Sequence, residues 1–379
     1  MAVPQFKEIR KAYGFDDVAI SPGVVTINPD QVNREFSING MTMPMPVLAS
    51  AMDAIVSPSF AVEFDKRGGL AVMNLEGVQT RYDDPAEVLD RISSASNEDA
   101  TTVMQDAYAA PIKENLVGDR VREIKSKGAK CAVSITPANT KRLAPLAEEA
   151  GADVIVVQST VTTARHYSKS ARGLVFSEFL ETVSVPVIVG NCVAYDVALE
   201  LMETGIDGVL VGVGPGAACT TREVTGVGVP QVTATMDCAA AREEHFRGTG
   251  KYVPIITDGG IRTGGDLCKA FASGADAVMI GTPLAQSEEA PGNGFNWGMA
   301  SPHASLPRGV RVSVGVKGSL DKILFGPTSK TDGTQNLIGA LEICMGMVGA
   351  ADIKGMHKTD IILAPSIKTE GKYFQLGLN

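Results

Sequence analysis

The sequence has no paired cysteines. Its six, at 131, 192, 219, 238, 268 and 344, stand singly, and without CxxC spacing they signal neither a zinc site nor a redox dithiol. The four histidines (166, 245, 303, 357) form no metal-ligand pattern. There is no basic cluster: 34 Lys+Arg against 43 Asp+Glu leave a formal net charge of −9, which argues against a nucleic-acid footprint. No apolar run is long enough to span a bilayer. The stretch MAVPQFKEIRKAYGF (1–15) lacks the apolar core of a signal peptide. A reducing cytoplasm is therefore the expected setting. With no linker or low-complexity tract, residues 1–379 are expected to form one domain.

What is present is a repeated local theme. EEAGADVIVV (148–157), METGIDGVLVG (202–212) and FASGADAVMIG (271–281) each run from a helix-like segment through Gly and Asp into a short apolar stretch. Glycine suits the left-handed residue that ends a helix, and an uninterrupted apolar run suits a strand buried on both faces. Eight such strands are expected, at 46–50, 70–74, 130–134, 153–157, 186–190, 207–211, 253–257 and 276–280. Eight β/α units predict a (β/α)₈ TIM barrel in the α/β class. The rival is a doubly wound open sheet, since GVGPGA (212–217) matches a degenerate dinucleotide fingerprint.

A barrel puts functional residues just after strand C-termini. Cys219 falls there, on a glycine-rich loop. It is either a nucleophile or a buried structural thiol. Gly259-Gly260 and Gly281-Thr282 follow the seventh and eighth strands, where barrels often bind phosphate; alternatively they are tight turns. Asp258 can accept from ribose hydroxyls or cap the next helix. Asp53 and Glu76 also sit at strand ends, with no partner assignable by spacing. Residues 289–317, rich in Gly and Pro, read as an active-site flap. In it, Trp297 either stacks on a base or anchors the segment, and His303 either shuttles protons or is exposed.

These motifs resemble the IMP dehydrogenase/GMP reductase family. The resemblance is carried by FDDVAISPG (15–23), ASAMDAIV (49–56), GNCVAYDVA (190–198), GPGAACTTREVTGVGVPQ (214–231), TDGGIRTGGDLCKAFASGADAVMIGTPLA (257–285), EEAPG (288–292), WGMAS (297–301) and DGTQNLIGALEICMGMVGA (332–350). It implies a barrel assembled as a homotetramer or homo-octamer. The chain resembles a barrel-only, dehydrogenase-related subfamily, with no room after the second helix for the family's regulatory CBS modules.

The implied chemistry is attack of Cys219 on C2 of the purine, transfer of hydride to NAD⁺, and hydrolysis of the thioimidate, converting IMP to XMP. Thr221 matches the threonine beside the thiol. Ser50, Met52 and Asn191 match the nucleotide pocket, Asp258 the ribose-binding aspartate, and Gly259, Gly260, Gly281 and Thr282 the phosphate cradle. Gly298 and Met299 match residues that meet the base. The carbonyls of Gly214, Gly216 and Cys219 match a K⁺ site. Gln158, with Ser159 and Thr160, stands where an aspartate grips the nicotinamide ribose. Ala217 replaces a phosphate-contacting serine. The flap is shortened to PHASLP (302–307), and Arg308 takes the place of an acid or amide. Arginine cannot be the acid that a reductase needs for ammonia exchange. Arg308, with Thr221, is instead expected to activate the hydrolytic water. The alternatives are an NADPH-dependent GMP reductase and a non-catalytic purine-nucleotide regulator.

Overall fold

The computed structural model describes residues 7, 9–167, 173–298 and 310–364. Eight parallel strands close into a barrel: β1 (Val47–Ala49), β2 (Leu70–Asn74), β3 (Ala132–Ile135), β4 (Val154–Gln158), β5 (Val187–Cys192), β6 (Gly208–Val211), β7 (Ile255–Asp258) and β8 (Ala277–Ile280). Closure is made by β8 on β1, with Val278 opposite Val47. Every expected strand is found within a residue or two at its ends. The open-sheet alternative falls with the closure, and GVGPGA forms the loop after β6, not a first β/α turn.

The repeated Gly–Asp signature has a physical role at the floor of the barrel, the N-terminal ends of the strands. Gly151, Gly205 and Gly274 hold φ of 100°, 98° and 109° after their helices, a conformation costly for any side chain with a Cβ. The aspartates then tie neighbouring strands together. Asp153 accepts from Cys131 N–H at 2.7 Å, Asp207 from Val187 N–H at 2.9 Å, and Asp276 from Ile255 N–H at 2.8 Å. Each also pairs with a cation: Lys125 at 2.8 Å, Lys251 at 3.2 Å and Arg242 at 2.7 Å.

The barrel interior is packed by Leu48, Leu70, Val72, Val154, Val156, Ile188, Leu210, Ile256 and Met279. A hairpin of Phe36–Ile38 and Met41–Met43 adds Phe36, Ile38 and Met43 to that cluster. Its turn is Asn39-Gly40, with φ of 44° and 84°, the left-handed pair that matches strand twist. Ile38 reaches Gly208 at the start of β6, where an added Cβ would lie 3.4 Å from its Cδ1, so the hairpin stops the floor. The outer faces of the strands pack on the surrounding helices in a second, larger core. No helix among the described residues is long and apolar enough to cross a membrane.

Candidate active site

With the floor closed, the open end is the rim at the strand C-termini. At β5 the sheet is irregular: Gly190 lies opposite Leu210 and Cys192 opposite Val211, which leaves Asn191 as an extra residue. Such a bulge re-aims a side chain. The Asn191 Nδ2 donates to Asp258 Oδ2 at 2.8 Å, joining β5 to β7. Gln158, at the end of β4, donates to the same oxygen at 3.4 Å and accepts from Ser134 Oγ at 3.3 Å. Asp258, Asn191, Gln158 and Ser134 thus form one polar chain inside the rim. Burial pushes the Asp258 carboxyl up to about 6, opposed by the Asn191 hydrogen bond. No cation is paired with it among the described residues, and the Asn191 Oδ1 is buried without a partner. Ser159 is fixed beside this chain: its N–H donates to Gly190 O at 2.9 Å and its carbonyl accepts from Asn191 N–H at 3.0 Å. Thr160 follows it in the same loop.

Cys219 is half-buried and its Sγ donates to Thr221 Oγ1 at 3.2 Å. Its N–H donates to Gly216 O at 3.0 Å, which tightens the turn that carries it. Pro215 of the same loop packs on Gly259 and Gly260, with its ring 3.0 and 3.2 Å from where their Cβ atoms would be. The cysteine loop and the turn after Asp258 are therefore in contact. That packing by itself accounts for part of the demand for small residues at 259 and 260.

A third group forms at the β8–β1 seam. Gly281 faces Ser50 and Met52, whose Oγ and Sδ would lie 3.5 and 3.6 Å from an added Cβ. Ser50 N–H donates to Ile280 O at 3.0 Å. Thr282 begins the short helix Thr282–Ala285 and accepts from Asn296 Nδ2 at 3.3 Å. The strand Phe295–Trp297, paired with Arg311–Ser313, then leads to Gly298. Trp297 is fully buried and donates through Nε1 to Tyr108 Oη at 3.2 Å. Of its two expected roles it therefore takes the anchor. Tyr108 donates in turn to Asp53 Oδ2 at 2.6 Å. Asp53 also accepts from Val78 N–H at 3.0 Å, and burial raises its carboxyl to about 6. Glu76 accepts from Thr136 N–H at 2.7 Å and Thr136 Oγ1 at 3.1 Å, so it braces the loop after β3. Met299, His303 and Arg308 lie outside the described residues.

The comparisons agree with this architecture. The model of the IMP dehydrogenase/GMP reductase domain matches residues 12–368. The chain belongs to the IMP dehydrogenase/GMP reductase family. An IMP dehydrogenase/GMP reductase-like protein of Corynebacterium glutamicum, solved by crystallography, superposes with a TM-score of 0.89 at 34% identity, over 96% of this chain and 97% of that one. An uncharacterized oxidoreductase of Mycolicibacterium smegmatis is 38% identical, over 93% of this chain and 96% of its own. The inosine-5'-monophosphate dehydrogenase of Cryptosporidium parvum is more distant, 29% identical over 93% of this chain and 92% of its own.

The nicotinamide dinucleotide expected from the family resemblance would have room beside the rim. A cavity of about 480 Å³ opens beside Ser159, lined by the loops after β3 and β4, a size ordinary for small-molecule sites. The K⁺ expected from the family would use hard carbonyl oxygens. The Gly216 carbonyl already accepts one N–H and keeps a second lone pair for a cation.

Three positioning residues escaped the sequence reading. Arg222 donates to Val213 O at 3.0 Å and Val229 O at 2.6 Å, so one guanidinium ties both ends of the cysteine loop. It lies between Gly214 and Gly228, where added Cβ atoms would come within 2.6 and 2.5 Å of it. Gln231 donates to Val211 O at 2.6 Å and Asp258 O at 3.1 Å, clamping the ends of β6 and β7. Ser134 orients Gln158. Arg222 and Gln231 lie in the quoted motif 214–231, but their partners are backbone carbonyls, and Ser134's partner is the Gln158 side chain 24 residues away, none of which spacing reveals.

Proposed function

We propose that the protein oxidises IMP to XMP through a covalent bond between Cys219 Sγ and C2 of the purine. The observation that carries this reading is the Cys219–Thr221 pair, 3.2 Å apart, on a loop packed against the turn that follows Asp258. The thiolate adds to C2, the hydride at C2 departs, and the product is a thioimidate on Cys219. Water then adds to the same carbon, and the C–S bond breaks to give XMP and the free thiol. A bound nicotinamide dinucleotide supplies the hydride acceptor; in the family's dehydrogenases it is NAD⁺.

The protein's own residues bind and orient. Asp258, held by Asn191, accepts from the ribose hydroxyls. Gly281 and Thr282, with Ser50, Met52, Gly259 and Gly260, take the phosphate end, and Gly298 and Met299 meet the base. Gln158, Ser159 and Thr160 border the dinucleotide. Thr221 orients the thiol and the incoming water, and Arg308, in its neutral guanidine form, withdraws the water's proton. Gly214, Gly216 and Cys219 hold K⁺ through their carbonyls. In a reducing cytoplasm the six cysteines, all free, keep Cys219 available as a thiol.

The test supplies IMP with an oxidised dinucleotide and, separately, GMP with a reduced one, and follows nicotinamide absorbance together with intact mass. Turnover of IMP, with an adduct on Cys219 that Cys219→Ser lacks, is expected. The serine variant should lose at least about 10³-fold in rate. Turnover of GMP alone makes the protein a reductase, and nucleotide binding with no adduct makes it a regulator.

A further inference from the structure

The cavity beside Ser159 has an unusual charge pattern for so acidic a chain. Its walls are apolar at Leu174 and Phe176 and hydroxylic at Ser159 and Thr163, and among the described residues its basic side chains are Lys141 and His166. No carboxylate lines it among the described residues. Neither Lys141 nor His166 has an ion pair or side-chain hydrogen bond among the described residues, whereas the adjacent Arg142 is engaged by Glu114 at 3.0 Å. Lys141 also occupies the first turn of helix Thr140–Glu149, a turn with no acidic residue. A lysine there opposes the helix dipole, so neither the helix nor an ion pair accounts for it.

The wall that carries Lys141 is rigid. Glu76 holds Thr136 through its N–H and hydroxyl and is also bonded by Asn139 Nδ2. Asn139 is the residue before the helix. An apolar slot with hydroxyls and two uncompensated basic heads matches a heterocycle bearing a phosphate. In dinucleotide recognition a carboxylate selects the free ribose diol, and a cation accommodates a 2′-phosphate.

We propose that this cavity binds the adenosine half of a nicotinamide dinucleotide and that Lys141 and His166 grip its 2′-phosphate, so that NADP(H) is preferred over the NAD(H) expected from the family's dehydrogenases. The proposal rests on reading the chain as a nicotinamide-dependent oxidoreductase. Lys141 and His166 are specificity determinants, remote from the chemistry at Cys219.

Calorimetry on the whole protein with adenosine 2′,5′-bisphosphate, 5′-AMP and inorganic phosphate tests it without turnover. The bisphosphate is expected to bind about tenfold more tightly than 5′-AMP, as one charge-assisted contact implies. Inorganic phosphate is expected to compete only weakly. Lys141→Ala should abolish the discrimination and Lys141→Arg should keep it. In turnover, the NADP-over-NAD ratio of kcat/KM should fall about tenfold in Lys141→Ala, with the change in KM. Equal affinity for the two mononucleotides, unchanged discrimination in Lys141→Ala, or phosphate competing as well as the bisphosphate would overturn the proposal. Failure of the Cys219 adduct leaves these binding results intact, so the two readings fail separately.

Discussion

The floor and the rim of this barrel treat their carboxylates differently. At the floor, Asp153, Asp207 and Asp276 each accept a neighbouring strand's N–H and each pair with a cation. At the rim, Asp258 and Asp53 are held by neutral donors, and neither has a salt bridge among the described residues. The floor aspartates are saturated, as structural charges are. The rim aspartates carry the cost of burial, and both sit near 6. The two then diverge. Asp53 is 2% exposed and held by Tyr108 and Val78, with Tyr108 held in turn by Trp297. Asp258 keeps part of its surface open to the mouth, with one firm donor. Only Asp258 has both the free acceptor capacity and the access that a ligand needs.

The sharpest way to break this comparison is at the floor. Asp276→Asn removes the buried one of Arg242's two carboxylate partners and leaves only the exposed Glu243 at 3.0 Å, while the Arg242 side chain is only 3% exposed. A loss of about 3–5 kcal/mol in unfolding free energy is expected, read by urea denaturation, with nucleotide affinity unchanged in the molecules that remain folded. At the rim the effects invert. Asp258→Asn should weaken purine-nucleotide binding by about 10²-fold, the value of two hydrogen bonds to a charged acceptor, while stability at neutral pH does not fall. Titration calorimetry against unfolding curves separates the two effects. Because the Asp258 carboxyl titrates near 6, wild-type kcat/KM should drop as pH falls through that value, and Asp258→Asn should lack this limb.

Smaller effects distinguish Asp53 from Asp258. Tyr108→Phe deprives the Asp53 carboxylate of its shortest donor and should cost about 1–3 kcal/mol without changing nucleotide affinity. Asp53 also gives a pH signature. Its folded value, about 6, lies above the ordinary 3.8, so the native state holds the proton more tightly than the unfolded chain. Its contribution is fully present below the ordinary value and is lost as pH rises toward 6. The stability of Asp53→Asn relative to wild type should therefore improve by at least about 1 kcal/mol between pH ~4 and ~7. A flat difference across that range would remove Asp53 from the class of uncompensated rim acids.

Much of the floor was legible in the sequence because its devices are local. A helix, a glycine, an aspartate and an apolar run occupy about ten consecutive residues and recur three times, and the remaining strands could be read from their short apolar runs. The hairpin at 36–43 went unread: its six strand residues, FSI and MTM, are too short to show a period. At the rim, the places of Asp258, Gly281 and Thr282 at strand ends and of Cys219 on the loop after β6 could be read. Their partners could not. Tyr108 lies 55 residues from Asp53, and Asn191 lies 67 from Asp258, and only barrel closure brings them together. Asn191's aim further depends on a bulge that shifts register by one residue, which no hydrophobic pattern encodes.

The Asn39-Gly40 hairpin that stops the floor has one more consequence. With the floor stopped, the proposed reaction would have a single doorway, and nucleotide, hydride carrier, water and product would queue at the same opening. A compound lodged there would halt entry and exit together.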